Sequence, residues 1–275
     1  MDAGSAVRCL VAPLQDPGKW IAAGTENGRV LVWDAKTCEK VNEFAYKKGI
    51  NSVDISSDGK KIVVASDDKV VDVWSLPDNE WLCGRTDSHF HTVKFSPDGS
   101  LFVVGVESGE SSFLSVFNSR NGDRLSSIQV SVLSVAWASD SKLLFALSSD
   151  GKIYYIDAYT EATLSKWPIH SDDCPRCITL SSNGAFIAAC ANASVSFWDT
   201  STHEQIGSVS HHPYSINCMA VSPSYDLVIA GNSNIALWDL LNALSIPNDQ
   251  VGGFQSSDSI PSLTTTETGF RLSNF

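Results

Sequence analysis

Short segments in which apolar and polar residues alternate recur along the whole chain. Such alternation is typical of a β-strand that buries one face. Each segment has six residues and ends on a polar one. The segments are RVLVWD, VVDVWS, FLSVFN, KIYYID, SVSFWD and NIALWD, which end at Asp34, Ser75, Asn118, Asp157, Asp199 and Asp239. The pattern therefore repeats about every 40 residues, a period typical of arrays of small β-sheets.

Turn signals recur with the same period. Glycine and asparagine tolerate the positive φ of tight hairpins, and aspartate or serine side chains hydrogen-bond the nearby backbone. An apolar segment lies before each turn and another after it, and a weaker segment such as KVNEF closes the unit. Each unit is therefore predicted to hold four short strands. The turns are at Asp16-Pro17-Gly18, Asp58-Gly59, Asp98-Gly99, Asp140-Ser141, Asn183-Gly184 and Ser224-Tyr225.

A sheet of four short strands cannot bury both of its faces by itself. Adjacent units are therefore expected to stack face to face around a common axis, as the blades of a β-propeller do. In that arrangement the tryptophans near the ends of the alternating segments fill the space between neighbouring sheets. The sequence predicts an all-β fold with six recognisable four-stranded blades.

Trp-Asp pairs carry a resemblance to a known family. They occur at Trp33-Asp34, Trp198-Asp199 and Trp238-Asp239. Two further segments carry the same resemblance, FSPDG at 95–99 and SSDGKIYYID at 148–157. On these residues the chain resembles the WD-repeat (tryptophan–aspartate repeat) β-propeller family over about residues 6 to 246. The resemblance implies a propeller over residues 1–247, and the Ser/Thr-rich segment 248–275 is expected to be a disordered tail. The expected blades span about 6–44, 50–85, 90–129, 132–168, 175–210 and 215–246.

The sequence departs from the family pattern in one network of side chains. Intact repeats of the family carry Gly-His before the first strand, and this histidine joins a hydrogen-bonded set with Ser or Thr, Asp and Trp. No Gly-His pair occurs here. The second unit has Trp74, Ser66 and Asp67 or Asp68, but FAYKKGI, which precedes its first strand, has no histidine. We therefore expect the blades to depend more on apolar packing than on this network.

The six units allow two arrangements of the ring. In one, the ring is complete and the sixth blade takes its fourth strand from NALSI, which Pro247 then ends. In the other, the six blades are part of a longer, seven-bladed protein. Only residues 1–5 precede the first predicted strand, too few to complete the last blade. An open ring would expose apolar faces of its end blades.

Charge and composition argue against several classes of function. The 275 residues carry a net charge of −12, so we expect no binding of nucleic acid or of anionic membranes. No apolar run approaches the roughly 18 residues of a membrane span, and the first residues lack the basic start of a signal peptide. Seven scattered cysteines suit a reducing compartment. The expected location is the cytoplasm, with the nucleus as an alternative.

The segment HSDDCPRC is the strongest candidate for metal binding. It places His170, Cys174 and Cys177 within eight residues, and Cys-x-x-Cys is a common half-site for zinc. A matching second half-site is missing, and Cys177 falls inside a predicted first strand, where cysteine packs as a small apolar residue. We expect packing here, and no metal or cofactor.

Catalytic patterns are weak. No Ser–His–Asp or His-Glu-x-x-His set occurs at a recognisable spacing. The innermost strands contribute Arg8, Asp54, Lys94 and Arg176, a set of mixed sign in which Asp54 and Lys94 are expected to pair. We therefore predict that the protein is not an enzyme. An enzyme that uses polar residues of the central channel remains the alternative, as does a fragment of a larger WD-repeat protein with no independent role.

The resemblance implies a binding surface at the loops before each first strand and at the turns between second and third strands. Proteins and peptides commonly dock on this face in the family, and interfaces gain most from tyrosine, tryptophan and arginine. The predicted function is a non-catalytic scaffold that presents these loops to protein or peptide partners, within a regulatory or signalling assembly. The candidate partner-binding residues are Tyr46, Lys48, His89, Phe90, Arg176, His212 and Tyr214; Phe90 also fits a core position.

Overall fold

The described part of the chain consists of β-strands joined by turns and short loops. The structure, a computed structural model, describes residues 2–12, 19–86, 88–108, 111–169, 174–221, 226–231 and 235–239. These residues contain 23 strands, numbered here in chain order. Among them there is no helix long and apolar enough to cross a lipid bilayer.

The first three sheets lie between residues 7 and 129. The first consists of β1 (Val7–Val11), β2 (Trp20–Thr25), β3 (Arg29–Asp34) and β4 (Lys40–Ala45). The second consists of β5 (Ile50–Ile55), β6 (Lys61–Ser66), β7 (Val70–Ser75) and β8 (Trp81–Thr86). The third consists of β9 (His89–Phe95), β10 (Leu101–Ser108), β11 (Ser111–Asn118) and β12 (Arg124–Gln129).

The other three sheets lie between residues 132 and 239. The fourth consists of β13 (Val132–Trp137), β14 (Leu143–Ser148), β15 (Lys152–Asp157) and β16 (Thr163–Pro168). The fifth consists of β17 (Pro175–Leu180), β18 (Phe186–Ala191), β19 (Ser194–Asp199) and β20 (Gln205–His211). The sixth consists of β21 (Ile216–Val221), β22 (Asp226–Gly231) and β23 (Ile235–Asp239).

Every sheet is an antiparallel meander in which strands pair in chain order. Five sheets have four strands, and the sixth shows three within the described residues. The prediction of an all-β propeller with repeated four-stranded blades is confirmed by this architecture. The segment NALSI, from which a fourth strand of the sixth blade was expected, lies outside the described residues, as does the expected tail at 248–275.

The recurrent hairpin turn is built from one serine, one aspartate and one glycine. In the second blade the Ser56 hydroxyl donates to the Asp58 carboxylate over 2.7 Å and accepts the amide of Lys61 over 2.9 Å. Gly59 completes the turn with a φ of 65°, where a side chain would be strained. The same bonds recur in the turns at Asp98-Gly99 and Asn183-Gly184, while the predicted turns at 16–18 and 224–225 lie outside the described residues.

The hydrophobic core lies between consecutive blades. The first strands β1, β5, β9, β13, β17 and β21 pack side by side in chain order. Between the first two blades, Val30, Val32 and Phe44 of one sheet pack with Ile62 and Val64 of the next. Side chains on alternate positions of a strand point to opposite faces of the sheet. Each of the second to fifth sheets therefore packs one face against the preceding sheet and the other face against the following sheet.

Bulky residues at the ends of the third strands fill these spaces, as predicted. Trp74 of the second blade packs on Phe44 of the first, with ring centroids 5.2 Å apart. Trp198 of the fifth blade packs on Trp167 of the fourth, with centroids 6.5 Å apart. The side chain of Trp238 lies outside the described residues.

The first blade has an apolar face that points away from the second. Trp33, Leu31 and Ala23 form a small buried cluster on this face. Nearby on β1, Leu10 is 68% exposed and Val7 is also exposed. The apolar side chains of β1 are thus more exposed than those of β5, which are buried.

Candidate functional site

A tyrosine takes part in the tryptophan-centred network of the second blade. The Trp74 indole Nε1 donates to the Tyr46 hydroxyl over 3.0 Å, and Tyr46 follows β4 in the loop before β5. The Ser66 hydroxyl bonds the backbone carbonyls of that loop, and the Asp68 carboxylate accepts the amide of Lys47 over 2.9 Å. The loop before β5 has no histidine, and Tyr46 of this loop is the hydrogen-bond partner of the tryptophan instead.

Beside this network, a cleft opens between the first and second blades. Its volume is about 600 Å³, within the range of roughly 300–1,000 Å³ that is usual for ligand sites. We call it the interblade cleft. The first blade and the loop after it contribute Glu43, Phe44, Ala45, Tyr46 and Lys47, and the second blade contributes Asp68, Val70, Asp72, Trp74 and Asn79.

Two carboxylates lie on the second-blade side of the interblade cleft. Val70, Asp72 and Trp74 occupy alternate positions of β7 and face the first blade, and Asp68 lies in the turn just before this strand. Asp72 accepts the indole Nε1–H of Trp81 over 2.9 Å. The Asp68 carboxylate uses Oδ2 for a backbone amide, while its buried Oδ1 accepts no hydrogen bond.

The electrostatics of the interblade cleft reflect this crowding of negative charge. Burial raises the pKa of the Asp72 carboxyl above its ordinary value, and the nearby Asp68 charge adds to the effect. Hydrogen bonds from Trp81 and Tyr46 oppose it but do not cancel it. Burial also raises the pKa of the Tyr46 phenol, and the charge of Asp72 contributes. The lining of the cleft thus places three carboxylates, Glu43, Asp68 and Asp72, beside one cation, Lys47.

The backbone next to Asp72 leaves room for its carboxylate. In the pairing of β7 with β8, Asp72 lies opposite Gly84. A Cβ atom at Gly84 would collide with Asp72 Oδ1. The absence of a side chain at position 84 thus lets a carboxylate occupy a half-buried position beside the cleft.

Only some of the predicted partner-binding residues are exposed. Lys48, His89 and Arg176 are exposed, and Tyr214 is 55% exposed. Lys48 and Tyr214 lie in loops that precede first strands, while His89 and Arg176 lie at the starts of β9 and β17. Tyr46 is half-buried in its network and lines the interblade cleft rather than standing free on that face.

Two of the predicted residues are buried and require a correction. Phe90 is 3% exposed and packs with Val93 and Val63 between the second and third blades, because its position in β9 faces the sheet before it. His212 is 8% exposed, and its Nδ1 lies 2.9 Å from the Tyr214 carbonyl oxygen and 3.2 Å from the Tyr214 amide nitrogen. Neither presents its side chain as an exposed anchor; His212 instead shapes the loop that presents Tyr214.

Three polar residues of the innermost strands, Arg8, Asp54 and Lys94, form ion pairs. Lys94 Nζ lies 3.1 Å from Asp54 Oδ1, which confirms the predicted pair and places it between adjacent first strands. The second oxygen of Asp54 accepts the Phe95 amide over 2.8 Å. Arg8 pairs with Asp67 over 2.8 Å. Asp54, the carboxylate singled out for an enzymatic alternative, is therefore held by two partners.

Two cysteines of the fifth blade, Cys177 and Cys190, pack against each other. Cys177 on β17 lies opposite Cys190 on β18, with 2.9 Å between the two sulfur atoms. Its contact with Cys190 and its burial raise the pKa of the Cys177 thiol. Cys174 is exposed, and His170 lies outside the described residues. Over the described ranges, no group of three or more His, Cys, Asp or Glu could hold a metal ion.

Comparison with known proteins bears on the fold and the family. The family model described as "WD domain, G-beta repeat" matches residues 2–34, 38–75 and 203–239. The model described as "Anaphase-promoting complex subunit 4 WD40 domain" matches residues 120–183. Together the two models match more than half of the chain.

Relatives and a solved structure agree with these matches. The chain is 26% identical over 210 residues to Protein groucho of Drosophila melanogaster, covering 71% of this chain and 28% of that protein. It is 26% identical over 226 residues to the guanine nucleotide-binding protein subunit beta of Zea mays, covering 72% of this chain and 57% of that protein. The β-propeller domain of Myceliophteria thermophila Cps50 (Swd1) superposes with a TM-score of 0.72 at 14% identity, covering 86% of this chain and 83% of that one. On its repeats, its blades and these matches, the chain belongs to the WD-repeat β-propeller family.

Proposed function

We propose that this protein is a non-catalytic scaffold that binds protein or peptide partners through the loops that precede its first strands. The observation that carries the proposal is the exposure of Lys48 and Tyr214, in the loops before β5 and β21, and of Arg176, near the start of β17. These positions are fixed by blades that pack on one another, so little conformational entropy is lost when a partner docks. A rigid surface that offers several loops at once suits recognition of a folded partner or an extended segment.

The relatives support the same class of function. Protein groucho and the guanine nucleotide-binding protein subunit beta share the repeats, and WD-repeat proteins generally bind other proteins. The name of the second describes a subunit of a nucleotide-binding protein. This chain spans about a quarter of the first and just over half of the second. We extend to it the general role of a subunit in a regulatory assembly, located in the cytoplasm or nucleus.

The test is affinity capture with a matched control. The purified chain is used to capture proteins from an extract of its source cells, with quantification by mass spectrometry. The variant Lys48→Ala, Arg176→Ala, Tyr214→Ala is expected to lose at least about tenfold of a specific partner, because exposed aromatic and arginine side chains dominate interfaces. The control changes the same residue types in turns at the other end of the ring, and is Lys36→Ala, Arg120→Ala, Tyr159→Ala.

The two variants separate the outcomes. Unchanged capture by the control and loss by the first variant would support the proposal. Equal loss by both, or full capture by the first variant, would contradict the assignment of the binding face. Thermal unfolding of both variants shows whether a loss reflects misfolding.

A further inference from the structure

The interblade cleft combines features that the stability of the fold does not require. Asp68 Oδ1 is buried without a hydrogen-bond donor, and an unpaired buried acceptor is unfavourable for the folded state. Asp72 is a half-buried carboxylate beside it. Glu43, at the rim of the cleft, is already paired with Arg29 over 3.0 Å and with Lys40 over 2.7 Å. Asp68 and Asp72 have no ion pair of this kind in the described part of the chain.

The carboxylate of Asp72 is peculiar to this blade. Asp72 stands two residues before the bulky residue that ends the third strand. The equivalent positions in the other blades are occupied by Leu31, Ser115, Tyr154, Ser196 and Ala236. The propeller therefore forms its other blades without an acid at this position. Together with Gly84, which leaves space for the carboxylate, this argues that Asp72 has a role specific to the interblade cleft.

The wall of the interblade cleft is aromatic. Phe44 and Trp74 lie with ring centroids 5.2 Å apart, and Tyr46 bonds Trp74. Aromatic rings beside carboxylates form a site for a cation, because the ring faces and the negative charges both attract it. An arginine side chain fits better than lysine, since its planar guanidinium can bond two carboxylates and stack on a ring.

We propose that the interblade cleft binds an arginine side chain carried by an extended segment of a partner protein, in contact with Asp68, Asp72 and the aromatic wall. This inference rests on the proposed function and names the chemistry of one class of partner. The net negative charge of the lining, the aromatic wall and the size of the cleft all fit this occupant. A guanidinium supplies further donors and a positive charge to a lining in which Lys47 is the one cation beside three carboxylates.

The test uses defined peptides and the tryptophans beside the cleft. The whole chain, labelled with nitrogen-15, is titrated with acetyl-Ala-Ala-Arg-Ala-Ala-amide while the indole N–H signals of Trp74 and Trp81 are followed by NMR. We expect both signals to shift and saturate. The same peptide with citrulline, a neutral analogue of arginine, is expected to cause no saturable shift. The lysine peptide is expected to bind more weakly than the arginine peptide.

Two variants assign the binding to the carboxylates. Asp72→Asn keeps an acceptor for Trp81 but removes the charge, and is expected to weaken arginine-peptide binding at least about tenfold. Asp123→Asn removes the same charge from an exposed turn of the third blade and is expected to leave binding unchanged. If Asp72→Asn fails to fold, Asp68→Asn replaces it with the same expectation.

The outcomes separate this inference from the proposed function. No saturable shift, equal binding of the citrulline peptide, or full binding by the folded Asp72→Asn variant would overturn it, and tighter binding of lysine would overturn the choice of arginine. In the capture experiment, the decisive result is a partner that is lost by the Lys48, Arg176, Tyr214 variant but fully retained by Asp72→Asn. That result would support the proposed scaffold function and refute the binding of an arginine side chain in the interblade cleft. Loss in neither variant would contradict both.

Discussion

The Tyr46→Phe substitution tests the network that replaces the family's histidine. It removes one hydroxyl and keeps the ring, so the packing of Tyr46 against its neighbours stays in place. Trp74 Nε1 loses an acceptor at 3.0 Å, and Asp72 loses a hydrogen bond that stabilises its charge. A partly buried donor left without a partner costs about 1–3 kcal/mol. We expect the free energy of unfolding to fall by that amount.

Urea unfolding followed by tryptophan fluorescence and circular dichroism measures this change. Tyr159→Phe removes an equally sized hydroxyl from a tyrosine that is 51% exposed, and is expected to stay within about 0.5 kcal/mol of the parent. In a double-mutant cycle, the effect of Tyr46→Phe is expected to shrink when Trp74 is replaced by Phe. Equal stability of Tyr46→Phe and Tyr159→Phe, or full additivity in the cycle, would refute the reasoning.

Two further predictions concern packing and pH. Phe145 is 2% exposed and stacks on Tyr155 between the fourth and fifth blades, so Phe145→Ala is expected to cost about 3–5 kcal/mol in the same unfolding assay; a loss below about 1 kcal/mol would mean that the blades do not pack there. The Asp34 carboxylate accepts two backbone amides, which lower its pKa. Its contribution to stability is present above the unfolded pKa of about 3.9 and is lost as pH falls through the lower folded pKa. Asp34→Asn keeps the acceptor and is expected to show a smaller fall in thermal midpoint between about pH 6 and pH 2; identical pH profiles would contradict this.

Much of the architecture could be predicted because its determinants are local in sequence. Alternation identifies the strands, and the Ser-x-Asp-Gly pattern identifies the turn that Ser56, Asp58 and Gly59 form. The pairing of Asp54 with Lys94 was also predictable, since both lie on first strands of neighbouring repeats. The repeat period also predicts how the blades are arranged, because it identifies the residues that occupy equivalent positions in successive blades.

The site was harder to predict because its side chains come from two blades. The sequence pattern predicts Tyr46 to be an exposed anchor, but it bonds Trp74 of the next blade, a contact that spacing within one repeat does not reveal. The pattern allows Phe90 either a loop position or a core position. Phe90 is buried because it packs against the sheet of the second blade. A usable signal did exist for Asp72, since an acid replaces uncharged residues at this repeat position. Comparing equivalent positions between repeats would have found it.

The central claim is that consecutive sheets pack face to face through aromatic side chains. The most direct measurement is a nuclear Overhauser experiment on the aromatic protons of the whole chain. We predict cross-peaks between the rings of Phe44 and Trp74, whose centroids are 5.2 Å apart in the first and second blades, and between Trp167 and His203, 4.4 Å apart in the fourth and fifth. Absence of both sets of cross-peaks in the folded protein, with these rings accessible to solvent, would contradict the account.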